Sequence, residues 1–404
     1  MTNTARSRSA IFPSPIVSAD AVDDVANAID DAGIFGLDLE FMTEGRYVPE
    51  LSLVQVAWGD IADPNVAAID PLKVNIDPIL DLIDDPQIVT VIHSAQADLA
   101  LLGAHYQVRA GALVDTQIAA AFLGAGDQLG YGTLVQRITG IELDKGAQFT
   151  EWSRRPLSEE QIAYALDDVR YLQRIWDQLQ AELIEHDRLA WVRDECDRLA
   201  EGWSRRTPPE EMYKRIRGWN SLKRKQLGAL RAVSAWREEE SLDHNRPPGW
   251  LLNDRTLLEL CRRSPQDESG LREIRGMGSS TVDRYGQEII ELIRSGIDDP
   301  PEKPEKPLRV PNVGQAWTTI ISGIVQTRCH AAAIATRFVA TRSDIEDVIT
   351  WWLIGDKDIE PEIPLLSSWR RDVAGQDILD WLSGDTMIAV DQSKMGITII
   401  PRSQ

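Results

Sequence analysis

The stretch IFGLDLEF, residues 34–41, decides the fold of the first half of the chain. It is apolar and rich in strand-forming residues, and LSLVQVAW at 51–58 has the same character after a run of turn residues. This pairing predicts a β-hairpin at the start of a sheet. VAAID at 66–70 and IVTVIH at 88–93 are further strand candidates, and helical patterns follow them. We therefore expect a mixed sheet covered by helices on both faces.

Two carboxylates interrupt the first of these strands on one face. Asp38 and Glu40 are two residues apart, and alternate side chains of a strand point to the same side. Buried carboxylates normally neutralise, pair with a base or bind a cation, and residues 34–41 contain no lysine or arginine. An exposed edge strand would also account for this pair taken alone.

Two further acids lie on predicted helices. Asp98 falls in the first turns of a helix that Ser94 would cap, where the helix dipole alone favours a negative charge. Asp168 follows Tyr164 by four residues in a long helix that begins at Ser158, so the phenol and the carboxylate share one helix face. Such a pair is also common on surfaces without any function.

Together the four acids predict a metal site. Carboxylate oxygens without histidine or cysteine select Mg²⁺ or Mn²⁺. Acids from three separate elements suit a pair of divalent cations that hold a phosphate between them. The hydroxyl of Tyr164 would then orient the attacking water. We expect no small-molecule cofactor.

The same residues carry a resemblance to a known family. The first-strand DxE, HSAQADL around Asp98 and YALDDV at 164–169 resemble the three exonuclease motifs of the DEDD superfamily, tyrosine subclass. The flanking runs DLEFMTEGRYVPELSLVQVAW and LDKGAQFTEWSRRPLSEEQIAYALDDVRYL resemble bacterial ribonuclease D over residues 30–205. The resemblance implies a ribonuclease H-like sheet and 3′→5′ hydrolysis of RNA that releases nucleoside 5′-monophosphates.

The resemblance also implies a role for each site residue. Asp38, Glu40 and Asp168 would hold the cation on the side of the nucleophile, whereas Asp38 and Asp98 would hold the second. Tyr164 would position the attacking water. The implied substrates are RNAs with a free 3′ end, above all transfer RNA precursors and other small structured RNAs. Lys145, in the matched segment, would contact phosphate, although a solvated lysine is the alternative.

Acidic and basic residues are unevenly distributed along the chain. The net charge is −21, and residues 1–206 hold 16 basic against 34 acidic residues. Residues 212–237 contain no acid and eight bases, which favours contact with nucleic acid over a merely solvated face. The residues expected to bind RNA in this run are Lys214, Arg215, Arg217, Lys223, Arg224 and Lys225.

The chain is predicted to have α/β and all-α parts. The exonuclease domain is expected at 1–206. A helical domain at 207–296 resembles the HRDC domain, a linker follows at 297–311, and a second all-α, HRDC-like domain occupies 312–404. The proline-rich run IDDPPEKPEKPLRVP marks the linker.

Composition limits the remaining classes of protein. Hydrophobic residues make up 43% of the chain and charged residues 26%, which is ordinary for globular domains. The three cysteines are far apart, without a CxxC motif, so a reducing compartment fits best. No apolar run reaches the roughly 18 residues of a membrane span.

We expect a cytoplasmic monomer. Two alternative functions remain: a DNA exonuclease of the same superfamily and a non-catalytic RNA-binding protein.

Overall fold

A five-stranded sheet forms the centre of the first half of the chain in the computed structural model, which describes residues 14–144, 150–203, 207–302, 312–356, 359, 361–391 and 396–402. The strands are β1 (Ile34–Met42), β2 (Glu50–Trp58), β3 (Asn65–Ile69), β4 (Val89–Ile92) and β5 (Ala112–Asp115). Their order is β3-β2-β1-β4-β5. The first three strands pair antiparallel, while β4 and β5 add in parallel beside β1. The predicted hairpin and the mixed sheet are confirmed.

Helices bury the sheet on both faces, as the sequence predicts. The helices of this part are α1 (Ala19–Ala32), α2 (Asp77–Asp84), α3 (Gln96–Leu101), α4 (Thr116–Ala121), α5 (Tyr131–Thr139), α6 (Glu159–Arg170), α7 (Leu172–Glu185) and α8 (Leu189–Trp203). Leu53 of β2 packs in a cluster with Leu166 of α6. Its neighbour Val54 belongs instead to the main core, with residues of α1 and α7. Successive strand residues thus fill opposite faces, and β1 lies in the middle of the layered structure.

The middle part is helical, as predicted. After short 3₁₀ helices at Pro209–Arg215 and Trp219–Ser221 it comprises α9 (Arg224–Asp243), α10 (Pro248–Leu251), α11 (Asp254–Arg263), α12 (Glu268–Arg272) and α13 (Ser279–Asp298). These elements have an apolar core of their own. The long helices α9 and α13 cross where a Cβ added to Gly228 would lie 1.8 Å from the carbonyl oxygen of Gly296. Any larger residue at Gly228 would force the helices apart.

The last part is not wholly helical. It comprises α14 (Asn312–Ala332), α15 (Thr336–Val339), α16 (Arg342–Ile354), α17 (Ser368–Arg370), α18 (Gln376–Ser383) and two antiparallel strands, β6 (Thr386–Asp391) and β7 (Gly396–Pro401). The prediction of an all-α domain at 312–404 omitted this hairpin. The strand segments TMIAVD and GITIIP are rich in the β-branched residues that favour strands.

The last part packs directly on the first. The Trp369 ring stacks on Trp191 of α8, with centroids 5.2 Å apart and an interplanar angle of 14°, and it meets Phe122 edge-on at 5.2 Å. Arg370 forms a buried ion pair with Glu195. One apolar core runs through both parts, whereas the middle part keeps a separate core. Of the predicted linker, Ile297 and Asp298 end α13, and residues 303–311 lie outside the described chain.

Candidate active site

Three of the four predicted acids meet at the centre of the sheet. Asp38 and Glu40 of β1 and Asp168 of α6 each offer a carboxylate oxygen, and these oxygens all lie within 4.8 Å of one another. The pairing of β1 with β2 shifts register just after Glu40. Such a bulge re-aims neighbouring side chains and is frequent beside active sites.

The fourth acid, Asp98, faces the same site from α3. It lies in the first turn of that helix and is only 7% exposed. It stands outside the group of three, but its charge raises the pKa of both Asp38 and Glu40. The structure therefore brings together all four acids that the sequence singled out.

Burial and repulsion from neighbouring carboxylates raise the pKa of every one of these carboxyls. Burial, followed by the charges of Asp38, Asp168 and Asp98, raises the pKa of Glu40 to about 9. Burial and the charge of Asp38 raise that of Asp168 to about 8. Burial raises the pKa of Asp98 to about 7 and that of Asp38 well above its usual range. Among the described residues, none of the four forms an ion pair with a lysine or arginine.

This chemistry fits a divalent cation. Carboxylates crowded without a basic partner are unfavourable unless protons or a cation supply positive charge. The available ligands are all hard oxygens, which Mg²⁺ and Mn²⁺ prefer. The donor set thus matches the metal use that the sequence predicts.

Tyr164 lies beside this cluster, one helical turn before Asp168. The two side chains share one helix face, close enough for the Asp168 charge to act on the phenol. Burial and the charges of Asp168 and Glu40 raise the pKa of Tyr164, which keeps the phenol protonated at neutral pH. Its ring lies 6.2 Å from that of Trp152. The predicted tyrosine and carboxylate pair therefore belongs to the site and is not an isolated surface pair.

An arginine that sequence reasoning missed fixes the segment before α6. The Arg155 guanidinium donates to both carboxylate oxygens of Asp70, at 2.7 and 2.8 Å, and to the carbonyl oxygen of Ser52 at 2.6 Å. It thereby ties the start of α6, which carries Tyr164 and Asp168, to β2 and the end of β3. Asp70 is 85 residues away in sequence, so no local pattern could reveal the pair.

Asp115 organises two helix starts beside the site. Its carboxylate accepts from the backbone N–H groups of Gln117 and Ile118 and so caps α4. It also accepts from the N–H groups of Ser94 and Ala95, at 3.0 and 2.9 Å. The prediction that Ser94 caps α3, the helix that carries Asp98, is wrong. Ser94 has φ of +63°, and α3 begins at Gln96. Asp115 thus holds the turn that presents Asp98.

Of the predicted RNA-binding residues, Lys145 is outside the described chain. The other six are exposed on the surface of the middle part. Lys214 pairs with Glu211, Arg215 donates to the Thr207 hydroxyl at 2.7 Å, and Arg224 donates to the Pro301 carbonyl at 3.4 Å. The side chains of Arg217, Lys223 and Lys225 are also exposed.

Comparison with known proteins identifies the family. Residues 13–184 match the family model of 3′–5′ exonucleases, and residues 226–293 match that of the HRDC domain. Ribonuclease D of Zymomonas mobilis is 35% identical over 379 residues, which cover 92% of this chain and 94% of that protein. The chain belongs to the ribonuclease D family. Ribonuclease D of Gluconacetobacter diazotrophicus is also 35% identical, over 97% of this chain and 98% of its own length.

A solved ribonuclease D confirms the fold. The crystal structure of Escherichia coli RNase D matches with a TM-score of 0.78 at 26% identity, over 91% of this chain and 98% of that one. The predicted ribonuclease H-like sheet followed by helical domains is therefore correct. Family membership makes the chain a 3′–5′ exoribonuclease acting on RNA, which decides against the DNA-specific and non-catalytic alternatives. No helix among the described residues is long and apolar enough to cross a membrane.

Proposed function

We propose that the chain trims RNA from its 3′ end by hydrolysis with two divalent cations, Mg²⁺ or Mn²⁺, and releases nucleoside 5′-monophosphates. The observation that carries this proposal is the cluster of Asp38, Glu40 and Asp168, with Asp98 facing it. When bound, such cations lower the pKa of water and stabilise charge on a leaving oxygen.

The chain's own residues would divide the work as follows. Asp38, Glu40 and Asp168 would hold the cation on the side of the nucleophile, and Asp38 and Asp98 would hold the second. The phenol oxygen of Tyr164, beside Asp168, carries lone pairs, so it can accept a hydrogen bond from the attacking water and orient it. Glu40 would also lie near the terminal 3′ hydroxyl.

We further propose transfer RNA precursors and other small structured RNAs as substrates. The similarity to the Escherichia coli enzyme, described as an exoribonuclease involved in structured RNA processing, supports this class. The exposed residues Lys214, Arg215, Arg217, Lys223, Arg224 and Lys225, together with Lys145, would contact its phosphates. The domain boundaries given above, the monomeric state and the cytoplasmic location stay predictions.

The test uses an RNA labelled at its 5′ end with a single-stranded 3′ tail. Incubation with Mg²⁺ or Mn²⁺ should give a ladder that shortens from the 3′ end, and EDTA should abolish it. Cleavage that persists in EDTA, or fragments that arise from internal cuts, would contradict the proposal. A transfer RNA with a 3′ trailer, compared with an unstructured RNA of equal length, tests the substrate class.

A further inference from the structure

A groove on the middle part lies beside the loop that follows the catalytic strand. It encloses about 330 Å³ between the end of α9, the segment around α10 and the first turns of α13. We call it the Trp250 groove; the residues that matter here are Glu240, His244, Arg246, Trp250, Arg284 and Tyr285. None of these residues belongs to the predicted RNA-binding run at 214–225.

The groove presents an aromatic surface to solvent. The Trp250 side chain is 69% exposed, although tryptophan is usually well buried in folded proteins. A flat, exposed indole is the kind of surface on which an unpaired base stacks without regard to sequence. Tyr285 supplies a second, half-buried ring in the same groove.

Two arginines give the groove a positive character. Arg246 is exposed and makes no side-chain hydrogen bond or ion pair with any residue that the structure describes. Arg284 lies 4.9 Å from the centre of the Tyr285 ring and contacts His244 Nε2 at 3.1 Å. The one carboxylate in the lining, Glu240, lies 3.5 Å from His244 Nδ1 and forms no ion pair with either arginine among the described residues. Both guanidinium groups therefore remain available for an anion.

Contacts between the first and middle parts fix the groove relative to the active site. The Asn245 side chain accepts from the backbone N–H groups of Tyr47 and Val48, at 3.0 and 2.7 Å, and the Tyr47 hydroxyl donates to Glu238 at 2.6 Å. Trp250 lies directly beside Gly45, where an added Cβ would be 3.3 Å from the indole ring.

The path from the catalytic acids to this groove is short. Gly45 follows Glu40 by five residues, which span at most about 18 Å. Stacked nucleotides repeat at about 3.4 Å along a strand, so a tail of roughly five nucleotides covers this distance.

We propose that the Trp250 groove binds a nucleotide of the single-stranded substrate a few positions upstream of the bond that is cut. The base stacks on Trp250, and a neighbouring phosphate contacts Arg246 and Arg284. This inference rests on the proposed function, because it takes RNA held at the acidic cluster as its starting point. It adds a binding site that serves longer tails and not the terminal nucleotide.

The experiment compares Trp250→Leu with Trp250→Phe, since phenylalanine keeps an aromatic face and leucine does not. Binding is measured in an Asp168→Asn background with Mn²⁺, on RNAs whose 3′ tails lengthen from two to about ten nucleotides. Trp250→Leu should weaken binding of the long tails by roughly 5- to 150-fold, the range for one base stacked on an aromatic ring. Trp250→Phe should stay within about threefold of the parent on the same scale.

Two further measurements distinguish RNA binding in the groove from catalysis at the active site. With Asp168 restored, Trp250→Leu should cleave a dinucleotide at the parental rate but lose efficiency on long tails. Arg246→Ala should lower the salt dependence of binding by about 0.7 in log–log slope, one phosphate contact. Arg342→Ala removes an arginine whose side chain is 83% exposed in the last part of the chain, and it should leave the slope unchanged.

The inference is overturned if Trp250→Leu, with an unchanged melting temperature, binds long tails as tightly as the parent. It is also overturned if the loss is the same for tails of two and ten nucleotides. A parent protein that cleaves no RNA with either metal would instead refute the proposed function. The binding measurements do not depend on cleavage, so the two failures are distinguishable.

Discussion

At the scale of single residues, the site is a cluster of carboxylates that have no lysine or arginine partner among the described residues. Asp38, Glu40, Asp98 and Asp168 each have a raised pKa, because burial and neighbouring carboxylates disfavour the ionised forms. Such a cluster reduces the stability of the fold once it ionises, unless a cation is bound. The property that destabilises the metal-free fold would also favour the binding of a divalent cation.

This predicts an unusual pH dependence of the metal-free protein. Ordinary carboxyls have pKa values of about 4, whereas Glu40 and Asp168 titrate at about 9 and about 8 in the folded chain. Between these limits the folded state binds more protons than the unfolded state, so the stability contribution present below about pH 4 is lost as pH rises to about 9. Thermal unfolding in EDTA should therefore show a decline from pH 6 to pH 9.

Mn²⁺ should reverse much of that decline, because it replaces the protons. The Asp98→Asn variant, which removes one of the titrating groups, should show a smaller decline in EDTA. An equal melting temperature at pH 6 and pH 9 in EDTA, or no gain from Mn²⁺ at pH 9, would show that the acids do not form a coupled metal site.

Tyr164 is predicted to affect the chemical step more than metal binding. Tyr164→Phe removes the hydroxyl beside Asp168 but leaves all four carboxylates in place. The rate of single-turnover cleavage should fall by roughly 10²-fold or more, the scale of one oriented polar group at a reacting centre. The affinity for Mn²⁺, measured by calorimetry, should change little. An unchanged cleavage rate would show that the hydroxyl takes no part.

At the scale of helices and strands, the break between α6 and α7 has an identifiable cause. The sequence predicts one long helix from Ser158, but the structure ends α6 at Arg170 and begins α7 at Leu172. The Tyr131 hydroxyl donates to the carbonyl oxygen of Asp167 at 3.0 Å, and it accepts from the N–H of Tyr171 at 3.4 Å. These two backbone groups would bond each other in a continuous helix. The inserted side chain produces the break.

Because Asp167 precedes Asp168, Tyr131 is predicted to position a site residue without touching the substrate. Tyr131→Phe should lower kcat several-fold with little change in KM, and the stability should fall by about 1 kcal/mol for the lost hydrogen bonds. Steady-state kinetics with urea unfolding measures both. Thr139→Ala, which removes a helix-surface hydroxyl bonded to Val135, serves as a control on the same helix. Wild-type kcat in Tyr131→Phe would contradict this role.

Sequence reasoning succeeded where geometry follows from short spacing. Two residues along a strand put Asp38 and Glu40 on one face, and four along a helix put Tyr164 beside Asp168. It failed where the partner is distant in sequence: Asp115 acts on Ser94, Tyr131 acts on Asp167, and Arg155 acts on Asp70. No local pattern reveals such contacts, because only the folded sheet brings the partners together.

At the scale of the whole molecule, the last part of the chain supports the first. Trp369 stacks on Trp191, and Arg370 pairs with Glu195 where the two side chains are only 3% and 8% exposed. Arg370 also donates to the carbonyl oxygen of Phe338. The sequence predicts separate domains joined by a linker. In the structure the first and last parts share one apolar core, so this contact contributes to the stability of both parts.

Removing one member of this buried pair should therefore destabilise the protein strongly. Arg370→Leu leaves the buried Glu195 carboxylate with only the half-exposed Arg198 as a basic partner, and urea unfolding should show a loss of up to about 3–5 kcal/mol. The double variant with Glu195→Leu should recover much of that loss, since no uncompensated charge remains. The exposed control Arg342→Leu should cost less than about 1 kcal/mol. Equal effects of Arg370→Leu and Arg342→Leu would contradict the interface.

The most direct test of the central claim is the identity of the product made in ¹⁸O-labelled water. With Mn²⁺ and a single-stranded RNA, the parent protein should release nucleoside 5′-monophosphates that carry one ¹⁸O atom in the phosphate. Asp168→Asn should fold normally yet release product more slowly by orders of magnitude. Three results would contradict metal-dependent hydrolysis at this acidic cluster. They are release of 3′-monophosphates, release of 5′-monophosphates without ¹⁸O in the phosphate, and near-normal turnover by Asp168→Asn.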